Sequence, residues 1–336
     1  MRAPGRVNLI GDHTDHTGGL VLPVAIDLET VVEGVRGGDV VALTSDRDAE
    51  TAVVRCDVVD PTAVEPAWAR YVAGVVAEVR PSEGFVGTVS TTLPLGGGLS
   101  SSAALEVAVA LALRPEATDA LTIAQIAQRA EHRATGVPCG IMDQLACCGG
   151  RAGHALLIDC GALVVEPVPL PDDLDLVVIH SGQSRRLEGS AYAERAAQCR
   201  AAEAVIGPLR EAGPGTEVAI ADPVVRARAR HVLGENARVR AAVEALRARD
   251  PLLLGALLRE SHASLRDDFA VSTPVLDALV GRLDATPGVH GARLTGAGFG
   301  GCVVAVCEPG ALDGWGTEPA WRVRPSDGAT VEVLPA

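Results

Sequence analysis

Three glycine-rich segments hold most of the groups in this chain that could bind and transfer charge. The most suggestive is Leu93-Pro-Leu-Gly-Gly-Gly-Leu-Ser-Ser-Ser-Ala-Ala, where a strand-like run leads into three glycines, three serines and a helical pattern. Glycines let backbone N–H groups converge on an anion, and a helix N-terminus adds roughly half a positive charge. Serine hydroxyls can hold phosphate oxygens or a magnesium ion, which prefers oxygen ligands. A flexible turn with serine caps has the same composition, so this segment alone leaves both readings open.

A second segment, Arg6-Val-Asn-Leu-Ile-Gly-Asp-His-Thr-Asp-His, crowds Asp12, His13, Asp15 and His16 ahead of Gly18 and Gly19. Hydrogen-bonding groups this dense could grip sugar hydroxyls. The spacing of His13 and His16 could equally ligate a metal, or the run could be a capped turn with solvated histidines. The third segment, Arg293-Leu-Thr-Gly-Ala-Gly-Phe-Gly-Gly-Cys-Val-Val-Ala-Val, contains a formal G-x-G-x-x-G at Gly296, Gly298 and Gly301. A dinucleotide fingerprint leaves a strand and opens a helix, whereas here a β-rich run follows. A glycine loop between two strands beside a phosphate site fits that context, and an oxidoreductase does not.

Composition narrows the chemistry further. None of the 29 basic residues is a lysine. That excludes a P-loop, protein-kinase chemistry and Schiff-base catalysis, each of which needs the amine. A formal charge of −14 repels nucleic acid and anionic membranes, so any phosphate ligand must be attracted by backbone N–H groups, arginine and a bound cation. Aromatic residues make up only 2% of the chain, which singles out Trp68, Trp315, Trp321, Tyr71 and Tyr192. The eight cysteines lack paired C-x-x-C spacing, and no signal pattern or long apolar run is present, which predicts a reduced cytoplasmic protein. The acidic composition and the lack of an interaction tail predict a monomer.

At 336 residues and 48% hydrophobic, the chain can build two lobes around a cleft. Strand-like runs fall at residues 40–44, 52–58, 87–93, 155–159, 176–180, 292–294 and 302–307. Helical patterns fall at 102–113 and at 123–134, the latter with a Thr122/Gln125 capping box. Others fall at 235–249, at 252–265, and from Thr273-Pro274 to 283. Strands followed by helix pairs, without βαβ alternation, predict an α+β fold. The alternating prolines at 167–171 suggest a boundary between an N-terminal lobe (1–168) and a C-terminal lobe (169–336), and 207–222 is a second candidate.

Taken in order, the three segments resemble the signature motifs of the GHMP kinase superfamily, and the resemblance runs from Arg2 to about Cys307. It sharpens to the galactokinase family at Ala3-Pro-Gly-Arg-Val-Asn-Leu-Ile-Gly-Asp-His-Thr-Asp and Gly136-Val-Pro-Cys-Gly-Ile-Met-Asp-Gln. The segments Ser190-Ala-Tyr-Ala-Glu-Arg-Ala-Ala-Gln-Cys and Glu260-Ser-His-Ala-Ser-Leu-Arg-Asp-Asp-Phe fit as well. The resemblance implies a two-lobed GHMP kinase fold with the site in the cleft between lobes, and phosphorylation of galactose at its C1 hydroxyl by ATP. It implies that Asp143 faces the anomeric hydroxyl with Arg6 beside it. Asp12, His13, Asp15, Gly140 and Tyr192 would contact the sugar. Gly96, Gly97, Gly98, Leu99, Ser100, Ser101 and Ser102 would form the phosphate loop, Ser102 and Glu131 would hold Mg²⁺, and Trp68 and Tyr71 would wall the adenine.

The chain departs from the family pattern at Asp12, usually glutamate, at His16, usually tyrosine, and at Ala297, usually glycine. Related readings are a GHMP kinase for a galactose derivative or L-arabinose, or a silent sensor of sugar and ATP.

Overall fold

The computed structural model describes residues 1–113, 119–183 and 188–333, with only the backbone of 188–190. The first strand, β1 (Arg2–Ile10), is buried from Ala3 onward and pairs antiparallel with the long β2 (Leu20–Arg36). Around them β3 (Val40–Ser45), β4 (Ala52–Arg55), β5 (Phe85–Thr91), β6 (His154–Asp159) and β7 (Val164–Pro169) complete a seven-stranded sheet. Its order is β4-β3-β5-β2-β6-β7 with β1 on β2, and only β3 and β5 run parallel. Mainly antiparallel strands with helices on the sheet make this an α+β fold, as the element order predicted.

Three helices pack together on that sheet: α1 (Ala69–Val79), α2 (Ser101–Leu113) and α3 (Ala120–Thr135). Helix α2 is buried on every face from Ala103 to Leu113, which its near-continuous Ala, Val and Leu composition requires. The short α4 (Met142–Gly149) fills the gap between α3 and β1. The Thr122/Gln125 box does not start α3. Asp119 caps it instead, accepting from Leu121 N and Thr122 N, so the helix begins two residues before Thr122.

The second half builds a four-stranded antiparallel sheet from β8 (Asp175–His180), β9 (Val289–Thr295), β10 (Cys302–Cys307) and β11 (Ala320–Val323). Its helices are α5 (Glu188–Ile206), α6 (Pro223–Ala248), α7 (Pro251–Asp267) and α8 (Pro274–Asp284). Helix α6 starts twelve residues earlier than the pattern at 235–249 suggested, because Asp222 caps it and Pro223 occupies the first turn. Helices α7 and α8 begin with the same pairing, Asp250-Pro251 and Thr273-Pro274.

The prolines at 167 and 169 lie inside β7 rather than beyond it. As an edge strand, β7 tolerates residues that cannot donate to a ladder. After β11 the chain crosses back to the first sheet, where Ser326 N donates to Ala25 O, Ala329 N to Cys147 O, and Arg2 and Thr330 exchange backbone hydrogen bonds. One buried apolar cluster therefore runs from β1, β2 and α2 into α6, α7 and β10.

Candidate active site

Between the two halves lies a cavity of about 590 Å³. Its wall includes Arg6, Asp12, His13, Asp15, Gly140, Asp143 and Tyr192, and also Trp68, Tyr71, Gly96, Gly98, Ser100, Ser101, Ser102 and Glu131. Of the residues that the resemblance assigns to the site, Gly97 and Leu99 are off that wall, as is His16 of the second segment. The Leu99 side chain points into the core, while its carbonyl accepts a hydrogen bond from Arg6 N at 3.2 Å.

Strand β1 and the start of α4 bring Arg6 and Asp143 together across 137 residues of sequence. Arg6 Nε donates to Asp143 Oδ1 at 2.9 Å and Nη2 donates to Oδ2 at 2.8 Å, a bidentate pair. Arg6 Nη1 donates to Gly98 O at 2.5 Å, and Ser100 Oγ donates to Asp143 Oδ2 at 2.5 Å. Burial works against the Arg6 charge, but the Asp143 and Asp12 carboxylates outweigh it and hold the guanidinium ionised. Asp143 lies in the first turn of α4, where the helix favours a negative charge. Gly5 admits this arrangement, because a Cβ there would meet Leu99 O at 2.6 Å.

At one end of the cavity, Ser102 Oγ donates to Glu131 Oε1 at 3.1 Å. Gln144 Nε2 donates to Glu131 Oε2 at 2.6 Å, which fixes the carboxylate from behind. Burial and the nearby Asp143 push the Glu131 carboxyl up, against its hydrogen bonds. One turn along α2 from Ser102, the fully buried Glu106 has its carboxyl pushed well above the usual carboxylate range by burial and by Glu131. Sequence reasoning passed over Glu106 and Gln144, since neither stands out within its helix.

The other end is polar and aromatic. The His13 ring stacks 4.5 Å from Phe269 and 5.6 Å from Tyr192. Burial and the neighbouring His16 and His231 drive its pKa well below the ordinary value, so the ring is neutral. Neither of its nitrogens has a hydrogen-bond partner among the described residues. His16, in place of the family's tyrosine, meets Tyr192 edge-on at 5.8 Å and is held neutral by burial, its pKa lowered to about 4. The two histidine rings lie 6.4 Å apart, and no group of three or more His, Cys, Asp or Glu among the described residues could hold a metal.

Asp15 packs against Gly140 so closely that a Cβ there would meet its Oδ2 at 2.1 Å. Burial, with Asp143 next, raises the Asp15 pKa to about 7. An acid whose pKa is raised on folding adds stability that is complete below its unfolded pKa and lost as pH rises through the folded one. Without sugar, wild type is therefore expected to lose more unfolding free energy between pH 5 and 8 than Asp15→Asn, in parallel denaturant titrations. Equal losses in the two proteins would refute this.

Beneath the cavity Asp12 is 1% exposed and its oxygens are already engaged: Oδ1 accepts from Gly296 N at 2.9 Å and Oδ2 from the fully buried Arg293. Burial raises the Asp12 pKa, with Arg293 and Arg6 pulling it back. His231 Nε2 lies 3.1 Å from Asp12 O and its Nδ1 lies 2.9 Å from Ser264 Oγ. Glu235 accepts from Gly11 N at 2.9 Å and Ser261 Oγ at 2.6 Å. Burial opposes the Glu235 charge, yet Arg238, His231 and Arg293 outweigh it and lower its pKa to about 2. The third glycine segment closes the hairpin between β9 and β10 and opens no helix.

This geometry can be set beside known proteins. A galactokinase galactose-binding signature matches residues 1–35, and the GHMP kinase N-terminal and C-terminal domains match residues 69–151 and 242–313. Human galactokinase is 45% identical over 329 residues, 93% of this chain and 84% of the human protein. The chain belongs to the galactokinase family. The crystal structure of Lactococcus lactis galactokinase complexed with galactose superposes with a TM-score of 0.90 at 31% identity, covering 98% of this chain and 94% of that one. Methanococcus jannaschii mevalonate kinase, at 18% identity and a TM-score of 0.71 over 97% of this chain and 98% of its own, shares the fold. As the resemblance implied, the galactokinase family's two-lobed GHMP fold is present and its cleft is lined from both halves.

Proposed function

We propose that the chain transfers the γ-phosphoryl group of ATP to the C1 hydroxyl of galactose, giving galactose 1-phosphate and ADP. The observation that carries this reading is the Arg6–Asp143–Ser100 cluster. It joins the phosphate loop to a carboxylate that faces the cavity.

Phosphoryl transfer asks mainly for in-line positioning and for cancellation of charge on the γ-phosphate. The N–H groups of the loop and the N-terminus of α2 supply positive potential that no lysine provides. Asp143 orients the C1 hydroxyl and takes its proton as the new bond forms, while Arg6 opposes the build-up of negative charge. The ring of His13, with Asp15, Tyr192 and the backbone at Gly140, binds the other hydroxyls. Asp12 holds the floor through Gly296 and Arg293 rather than offering an unengaged acceptor. Trp68 and Tyr71 flank the adenine.

Ser102 and Glu131 fit a magnesium ion, because both present hard oxygen donors on the phosphate side of the cleft. The bound ion supplies charge neutralisation on the nucleotide phosphates. A monomeric cytoplasmic enzyme completes the reading, and no described helix is long and apolar enough to cross a membrane.

The test is ADP release with MgATP against D-galactose and variants altered at C2, C4 and C6. Turnover is expected to be highest on galactose. Turnover confined to an altered sugar would move the specificity, and binding of both ligands without turnover would overturn the reading.

A further inference from the structure

We propose that Ser100 is a positioning residue for Asp143, fixing the orientation of the carboxylate that receives the sugar hydroxyl. The proposal rests on the catalytic role given to Asp143 above. A carboxylate offers about four acceptor positions. Arg6 engages both oxygens, with Nε 2.9 Å from Oδ1 and Nη2 2.7 Å from Oδ1 and 2.8 Å from Oδ2, and Ser100 donates to Oδ2 from the other side. Most of those positions are therefore filled by the protein, and the carboxylate is held against rotation when the hydroxyl arrives.

The backbone at Ser100 points the same way. Its φ of +61° lies in the left-handed region, where glycine would be at ease and serine is strained. The loop already holds three glycines just upstream. A fourth would relieve the strain but would leave no hydroxyl for Asp143. Ser100 is 7% exposed, lines the cavity and immediately precedes α2. Its two upstream neighbours are tied to Arg6, Gly98 through its carbonyl and Leu99 through a backbone hydrogen bond. The phosphate loop and the carboxylate thus move as one piece, and a misplaced loop would misplace the acceptor.

Ser100→Gly separates this role from folding, because glycine accepts the backbone angle without strain. Ser100→Ala serves as a second variant that keeps the strain. In both, kcat on galactose is expected to fall about 10- to 100-fold, since small displacements of a reacting group cost rate steeply. Dissociation constants for galactose and for ATP, measured by calorimetry, should stay within about threefold, and Ser100→Gly should melt no lower than wild type.

A kcat within about threefold of wild type would overturn the proposal. So would a loss expressed as weaker ATP binding, which would make Ser100 an ordinary phosphate ligand. Asp143→Ala, run in parallel, tells the two failures apart. If it turns over normally, the role of Asp143 falls and that of Ser100 with it. If it is inactive while Ser100→Gly is normal, only the Ser100 assignment falls.

Discussion

Asp143→Ala is expected to lower kcat by about 10³-fold while weakening galactose binding only modestly, as loss of a positioned proton acceptor does. The geometry also predicts a second cost. Arg6 is 5% exposed and would keep its charge with Gly98 O as its one remaining hydrogen-bond partner at the side chain. Removing one member of a buried pair typically costs about 3–5 kcal/mol, and the 26% exposure of Asp143 places this pair toward the lower end. Asp143→Asn separates the two effects. Its amide oxygen can still accept one bond from Arg6 although its NH2 cannot accept the other, so part of the lost stability should be kept while turnover stays low. Single-turnover rates with melting curves for both variants check this, and near-normal turnover in either would remove Asp143 from the chemistry.

Arg293→Met should destabilise the protein by about 3–5 kcal/mol without touching the phosphate loop. Arg293 is wholly buried, is bound to Asp12 and donates to Leu9 O at 3.1 Å from Nη1. Methionine fills much of the volume but leaves a carboxylate buried without its main counter-charge. Adding Asp12→Asn removes that charge and should restore part of the loss, so the two changes should be far from additive. Denaturant midpoints at constant slope read this directly. A double variant as unstable as the sum of the singles would show that the pair is not the source.

The parts of the site that could be read from sequence are those that local chain chemistry writes. The run of three glycines and three serines before an aliphatic helix allowed a plain capped turn as well as an anion cradle, and the family resemblance chose between them; the acid and histidine cluster after β1 is dense enough to notice. What could not be read depends on distant contacts. Ser100 and Asp143 are 43 residues apart, and nothing in the loop announces that its first serine turns to a carboxylate. Arg293 was visible only as the first letter of a glycine segment, since the floor it braces comes from four separate elements.

The fold shows the same division. Helix α6 was recognised for half its length because its Asp222-Pro223 start lies within a stretch that looked like a loop. Strand β2 was missed because it is buried on both faces from Val21 to Ile26 and alternates only afterwards. The edge position of β7, which makes its prolines harmless, is a property of the sheet rather than of the segment.

The mutual hydrogen bonds between Arg2 and Thr330 give the backbone the outline of a ring. Joining positions so close together closes only a short loop, whose entropy cost is small. The Gly37-Gly38 turn, hydrogen-bonded to Gly84 but with open space for a side chain at either glycine, offers a place to reopen the ring. A circularly permuted chain cut there would begin just ahead of β3 and end with β1 followed by β2. Such a chain would spell its motifs in a different order while keeping them adjacent in space around the cleft.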